Sequence, residues 1–176
     1  WLIAFAAVRA WRRRPRPGAA GTGRRLRLAC GFDHGGFPLR ETVFDALRAG
    51  GHEIVDVGAA EYRDGDDYPD FAVAVVERMK AGEADRGILV CGSGAGVAVA
   101  ANKFPGIRAA MAHDTYTAAQ CVEHDNCNVL ALGARVIGPE IASELVAAFA
   151  GAEFSGEERH VRRLAKVDRI EAGELP

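Results

Sequence analysis

The stretch Gly87-Ile-Leu-Val-Cys-Gly-Ser-Gly-Ala-Gly-Val-Ala-Val-Ala-Ala-Asn-Lys103 decides the fold. Ile88, Leu89 and Val90 form an unbroken apolar run, the pattern of a strand buried on both faces, while residues 97–101 suit a packed helix. Between them, Cys91 and a glycine-rich turn stand where a strand ends and a helix begins. In an open parallel sheet ligands bind at that place, because unpaired amide N–H groups and the helix dipole favour negative charge there. The same setting favours a thiolate over a thiol. The dinucleotide fingerprint needs glycine or alanine where Val97 stands, and no Gly-Lys-Ser/Thr closes the turn as in a Walker loop. The turn therefore suits a small anion or an oxyanion. A buried cysteine at a strand end is more often a small core residue than a reactive thiol, so other groups must decide its role.

Outward from this stretch, short apolar runs alternate with amphipathic segments, the pattern of β-α units and a parallel sheet. Residues 26–32 read as the first strand, 38–49 as a helix with proline near its first turn, and 53–57 as the second strand. Residues 59–67 are polar and acidic, a surface loop, and Tyr68-Pro-Asp leads into a helix with Phe71, Val75, Val76 and Met79 on its apolar side. Residues 108–112 form a short fourth strand, 115–123 a helix with Asp114 as N-cap, 128–132 the fifth strand and 139–150 the next helix. Residues 157–170 are helical and rich in Arg and Glu. Short right-handed crossovers make this a three-layer α/β/α sandwich, Rossmann-like, with about five parallel strands. The extra C-terminal helix is expected to dock on a neighbour.

A chain of 176 residues with 49% hydrophobic content is long enough for one domain with a sizeable core. The net charge of −2 argues against nucleic-acid binding. Cysteines at 30, 91, 121 and 127 show no C-x-x-C pair and fit free thiols in a reducing, cytoplasmic setting. Residues 1–24 do not resemble the rest: an apolar segment too short to span a bilayer precedes Arg12-Arg-Arg-Pro-Arg-Pro-Gly, and no acidic residue appears before Asp33. A disordered basic tail, a transit-like peptide and translated upstream sequence all account for it, and the missing initiating Met favours the last. Arginines after the apolar run reverse the order of a secretory signal. We expect residues 1–24 to lie outside the fold, and no membrane partner.

Further polar groups fall near strand ends. Asp33-His34-Gly-Gly follows strand one, His124-Asp125-Asn126 precedes strand five, and Arg135 follows it. Arg159 and Arg163, four apart, share one helix face; by default that is a solvated face or a partner for Glu157 and Glu158, and its functional reading is a phosphate clamp. The five histidines show no metal-ligand spacing, and there is no G-x-S-x-G elbow.

Taken together, Asp33-His34-Gly-Gly-Phe, Asp67-Tyr68-Pro69, the Cys91 stretch, Ala101-Asn-Lys-Phe-Pro-Gly-Ile-Arg108, Asn128-Val-Leu-Ala-Leu-Gly-Ala-Arg135 and Arg159-His-x-x-Arg163 resemble the RpiB/LacA/LacB sugar-phosphate isomerases. The combination is far more specific than any single piece. The resemblance implies an isomerase domain over residues 25–172, no metal or organic cofactor, and a homodimer or homotetramer with active sites shared between subunits. It implies an aldose-ketose isomerase passing through an enediolate, with ribose 5-phosphate to ribulose 5-phosphate as the reaction. A six-carbon phosphosugar such as allose or galactose 6-phosphate is the alternative substrate, and a non-catalytic phosphosugar-binding module the alternative class.

By the same resemblance Cys91 is the base, Gly92, Ser93, Gly94, Ala95 and Gly96 hold the enediolate oxygens, and Ser93 relays or donates a proton. His124 opens the furanose ring with Asp33 beside it. His34, Arg159 and Arg163 bind phosphate, Arg135 and Asp125 fall at substrate contacts, and Tyr68 lines the pocket. Ser93 stands where several relatives carry threonine, which keeps the hydroxyl. Asp125 stands where the bacterial pattern of the family has asparagine, and an anion beside a phosphosugar is unfavourable. The loop around Glu157 and Glu158 is one residue longer than in the family.

Overall fold

The computed structural model describes residues 24–174, so the expectation for the N-terminal extension lies outside the described residues except at Arg24. Strands β1 (Arg27–Phe32), β2 (Glu53–Asp56), β3 (Arg86–Cys91), β4 (Ala109–Met111) and β5 (Val129–Gly133) pair in the order β2-β1-β3-β5-β4, every pair parallel. Helices are α1 (Arg40–Ala49), α2 (Tyr68–Lys80), α3 (Ala95–Ala101), α4 (Thr115–Asp125), α5 (Pro139–Gly151) and α6 (Glu158–Glu171). The helix expected from residue 38 begins instead as a 3₁₀ turn, Phe37–Leu39, that passes into α1.

The apolar run of β3 alternates between two cores. Ile88 and Val90 join Phe32, Leu47, Leu130 and Phe149 under α1, α4 and α5; Leu89 and Cys91 join Val75, Val76, Val97 and Ala131 under α2 and α3. Both faces of the sheet are therefore covered, which is why the strand reads as continuously apolar. Asp114 caps α4 as its spacing predicts, its Oδ1 accepting the Thr117 N–H at 2.7 Å. Asn126 ends that helix at φ 48°, a left-handed position that asparagine tolerates.

The connection from β1 to β2 runs one way along the sheet, and the connection onward to β3 runs the other, so the winding reverses between β1 and β3. A crevice opens at the carboxyl ends of strands at such a reversal. Helix α6 packs differently from the rest: only His160 is buried, while Val161, Val167 and Ile170 are exposed.

Candidate active site

Ten of the candidate residues meet at the carboxyl edge, around the β1/β3 reversal. The segment after β1 is tied to β3 by the Asp33 N–H donating to the Val90 carbonyl. The segment after β5 is tied to the Cys91 loop by Ala134 N–H to the Cys91 carbonyl at 2.9 Å and Arg135 N–H to the Gly92 carbonyl at 3.0 Å. The Cys91 thiol is nearly buried, and its Sγ accepts the Gly94 N–H at 3.1 Å. Gly94 lies at φ +84°, a left-handed position that turns this N–H toward the sulfur and disfavours any side chain. Helix α3 has only seven residues, so neighbouring amides contribute more here than a long-helix dipole would.

The exposed Ser93 hydroxyl accepts the Ala95 N–H at 3.3 Å and keeps its own proton free to donate. Tyr68 lies against Gly96 so closely that a Cβ there would come within 2.9 Å of the ring. Arg135 lies over Gly92, completing the rim.

Asp33 is buried, and its Oδ1 accepts the Gly36 N–H at 2.7 Å. Burial pushes its carboxyl above the usual range against the pull of that bond, so a proton is held there more readily than on a surface aspartate. His34 sits beside it, bonded to Asp66, whose hydrogen bond raises the imidazole above its ordinary value. Asp33, His34 and Asp66 bring three potential metal-ligand atoms within 4.8 Å of one another. The His34 Nδ1 is engaged by Asp66 Oδ1 at 2.8 Å, and Asp33 Oδ1 by the Gly36 N–H at 2.7 Å.

The remaining four, His124, Asp125, Arg159 and Arg163, are at the other edge. Helix α4 begins where β4 ends and returns the chain to the start of β5, so His124 near its end is at the amino edge of the sheet. Eleven residues of helix span about 16 Å. His124 stacks on His160 with ring centroids 4.1 Å apart, and its Nδ1 is 2.9 Å from the Gln120 amide. His160 is 1% exposed, with Nδ1 2.7 Å from the Ser155 hydroxyl; burial, and then His124, lower its tendency to protonate. Arg159 pairs with Glu157 at 2.8 Å. Asp125 and Arg163 line a cavity of about 270 Å³ together with Arg108, Asn102 and Val167.

Two contributors escape a reading of the sequence. Gln120 stands one helical turn before His124, a spacing that marks it once the histidine is singled out. Asp66 belongs to the acidic run Asp64-Gly-Asp66-Asp67, in which nothing local says which carboxylate turns inward.

The chain matches the model of the family described as Ribose/Galactose Isomerase over residues 28–167. It is 41% identical over 145 residues to ribose-5-phosphate isomerase B of Escherichia coli, covering 82% of this chain and 96% of that protein. It is 43% identical over 131 residues to D-erythrulose-4-phosphate isomerase of Pectobacterium atrosepticum, covering 74% of this chain and 86% of that protein. Among solved structures it resembles ribose-5-phosphate isomerase B of Clostridium thermocellum with a TM-score of 0.79 at 44% identity, covering 84% of this chain and 98% of that one.

Proposed function

This chain belongs to the ribose/galactose isomerase family and is an isomerase; on that premise we propose that it interconverts ribose 5-phosphate and ribulose 5-phosphate, with Cys91 as the base. The observation that carries this reading is the Cys91 sulfur at the sheet reversal, receiving the Gly94 N–H at 3.1 Å beside Asp33 and His34. That bond strengthens as charge grows on sulfur. In the proposed reaction the thiolate removes the C2 proton of the open-chain aldose. The electrons pass to the C1 oxygen, and the enediolate is held by Ser93 and the amides of Gly92, Gly94, Ala95 and Gly96. Ser93 relays the C2 hydroxyl proton to the C1 oxygen, and Cys91 returns its proton to C1 as C2 becomes the carbonyl.

Ring opening needs a proton on the ring oxygen and one taken from the anomeric hydroxyl. His124 and Asp33 fill these roles, burial making the Asp33 carboxyl hold a proton more readily than an exposed one. His34, Arg159 and Arg163 bind the phosphate, Arg135 contacts the substrate and Tyr68 lines the pocket; fixing the phosphate orients C1 and C2. Asp125 and Arg163 line the same cavity, and in this reading Asp125 offsets positive charge there rather than touching phosphate.

These groups belong to opposite edges of one sheet, so one copy holds no complete set. We assign the site to two copies in a homodimer or homotetramer, one giving the Cys91 edge and the other the His124, Arg159 and Arg163 edge. Residues 25–172 form the isomerase domain, residues 1–24 are dispensable to it, and the pathway is the non-oxidative pentose phosphate branch, in the cytoplasm.

A four-carbon substrate is the second reading, favoured by 43% identity to the D-erythrulose-4-phosphate isomerase. Proton-deuterium exchange at the substrate carbon, measured for ribose 5-phosphate, D-erythrulose 4-phosphate and allose 6-phosphate, separates them. We expect the highest kcat/KM with ribose 5-phosphate. A tenfold preference for either rival reassigns the substrate, and binding without exchange makes the chain a phosphosugar-binding module.

A further inference from the structure

We propose that Asp66 is a positioning residue that locks the turn and the ring tautomer of His34, so that the loop before α2 sets how strongly the site grips phosphate. One oxygen, Asp66 Oδ1, takes both the His34 backbone N–H at 2.8 Å and the ring Nδ1 at 2.8 Å. The two bonds fix the turn and the ring together across 32 residues of sequence. Of residues 60–70, Asp66 alone is drawn in from solvent, and its Oδ2 is buried with no hydrogen-bond donor among the described residues. Its charge is therefore answered chiefly by His34. The same loop touches the His34 turn a second time, where Tyr62 meets Phe37 edge-to-face at 6.1 Å.

With Nδ1–H committed to a carboxylate, a neutral His34 turns a lone pair on Nε2 toward the substrate, and that repels a phosphate oxygen. Only the protonated ring donates from Nε2. Asp66 and Asp33 are the charged groups that act on His34, and both favour the proton. His34 is thereby kept cationic to higher pH, and phosphate affinity contributed by it is present at low pH and lost as pH rises through the raised value. Removing the Asp66 charge moves that loss to lower pH.

This inference rests on His34 as a phosphate ligand, and its test separates the two ideas. Asp66→Asn keeps an acceptor for the backbone N–H and removes the charge. NMR titration of the His34 ring in the ligand-free protein should show its midpoint fall. The inhibition constant of inorganic phosphate should rise at a pH between the two measured midpoints and match the parent at a pH below both, while kcat for the sugar phosphate changes little. In a His34→Gln background the Asp66→Asn change should add nothing. An unmoved midpoint, equal loss of phosphate affinity at both pH values, or full effect without His34 each overturns the proposal. A parent protein that turns over no sugar phosphate refutes the isomerase reading and leaves the midpoint and phosphate measurements to judge Asp66.

Discussion

The two edges of the sheet are built by opposite means. At the carboxyl edge the groups hang on three loops stitched by backbone hydrogen bonds, with Asp33 and Cys91 nearly buried and His34 held toward its charged form by a carboxylate. At the amino edge the arginines are exposed on a helix that buries a single residue, and His160 is held toward neutrality beneath His124. One edge fixes reactive atoms; the other offers charge on long side chains. Proton transfer between carbons tolerates little misplacement, whereas a phosphate can be met by a mobile guanidinium. On the proposed reading the division teaches that rigidity follows chemistry, and that a whole site would draw on both edges.

The contrast breaks first at Cys91. Cys91→Ala should lower turnover by about 10²–10⁴-fold, the range for a positioned general base, with a melting temperature near that of the parent. Solvent deuterium exchange at C2 in the variant at the parent rate would remove the thiol as base.

Sharing between copies is tested by mixing. Cys91→Ala and His124→Ala proteins, each inactive alone, should regain about a quarter of parental activity after joint refolding, because half of randomly paired dimers are mixed and each holds one intact site. No recovery would return both edges to a single copy.

Replacing Arg163 with Ala should cost about 1.5–3 kcal/mol in kcat/KM, the range for hydrogen bonds to a charged group, and Lys should restore little because it lacks the planar fork. Equal losses with phosphorylated and unphosphorylated sugars would show that the arginine does not read phosphate.

The smallest effect is on stability. Because burial and His124 lower the folded pKa of His160, its contribution is full above the unfolded value of about 6.5 and is lost as pH falls through the lower folded value. Denaturant midpoints should decline from pH 7 to pH 5, and His160→Asn should flatten that slope. His34 has the reverse sign: its contribution is present below the unfolded value and lost as pH rises through the raised one. A slope unchanged by His160→Asn would erase the opposition between the edges.

The sequence by itself determined the β-α alternation, the burial of β3 on both faces, the Asp114 cap and the position of Cys91 at a strand end. All of these depend on periodicity and on spacings of a few residues, which a chain displays before it folds. The length of α3 and the 3₁₀ start of α1 were not legible, since element ends depend on the packing they meet. Only the tertiary structure decided that His124, Asp125, Arg159 and Arg163 lie across the sheet from Cys91, that His160 stacks on His124, and that Asp66, among three acidic neighbours, turns toward His34. These are contacts between residues 32 and 36 positions apart, and they depend on which loop or helix the fold brings alongside each imidazole, something no local pattern records.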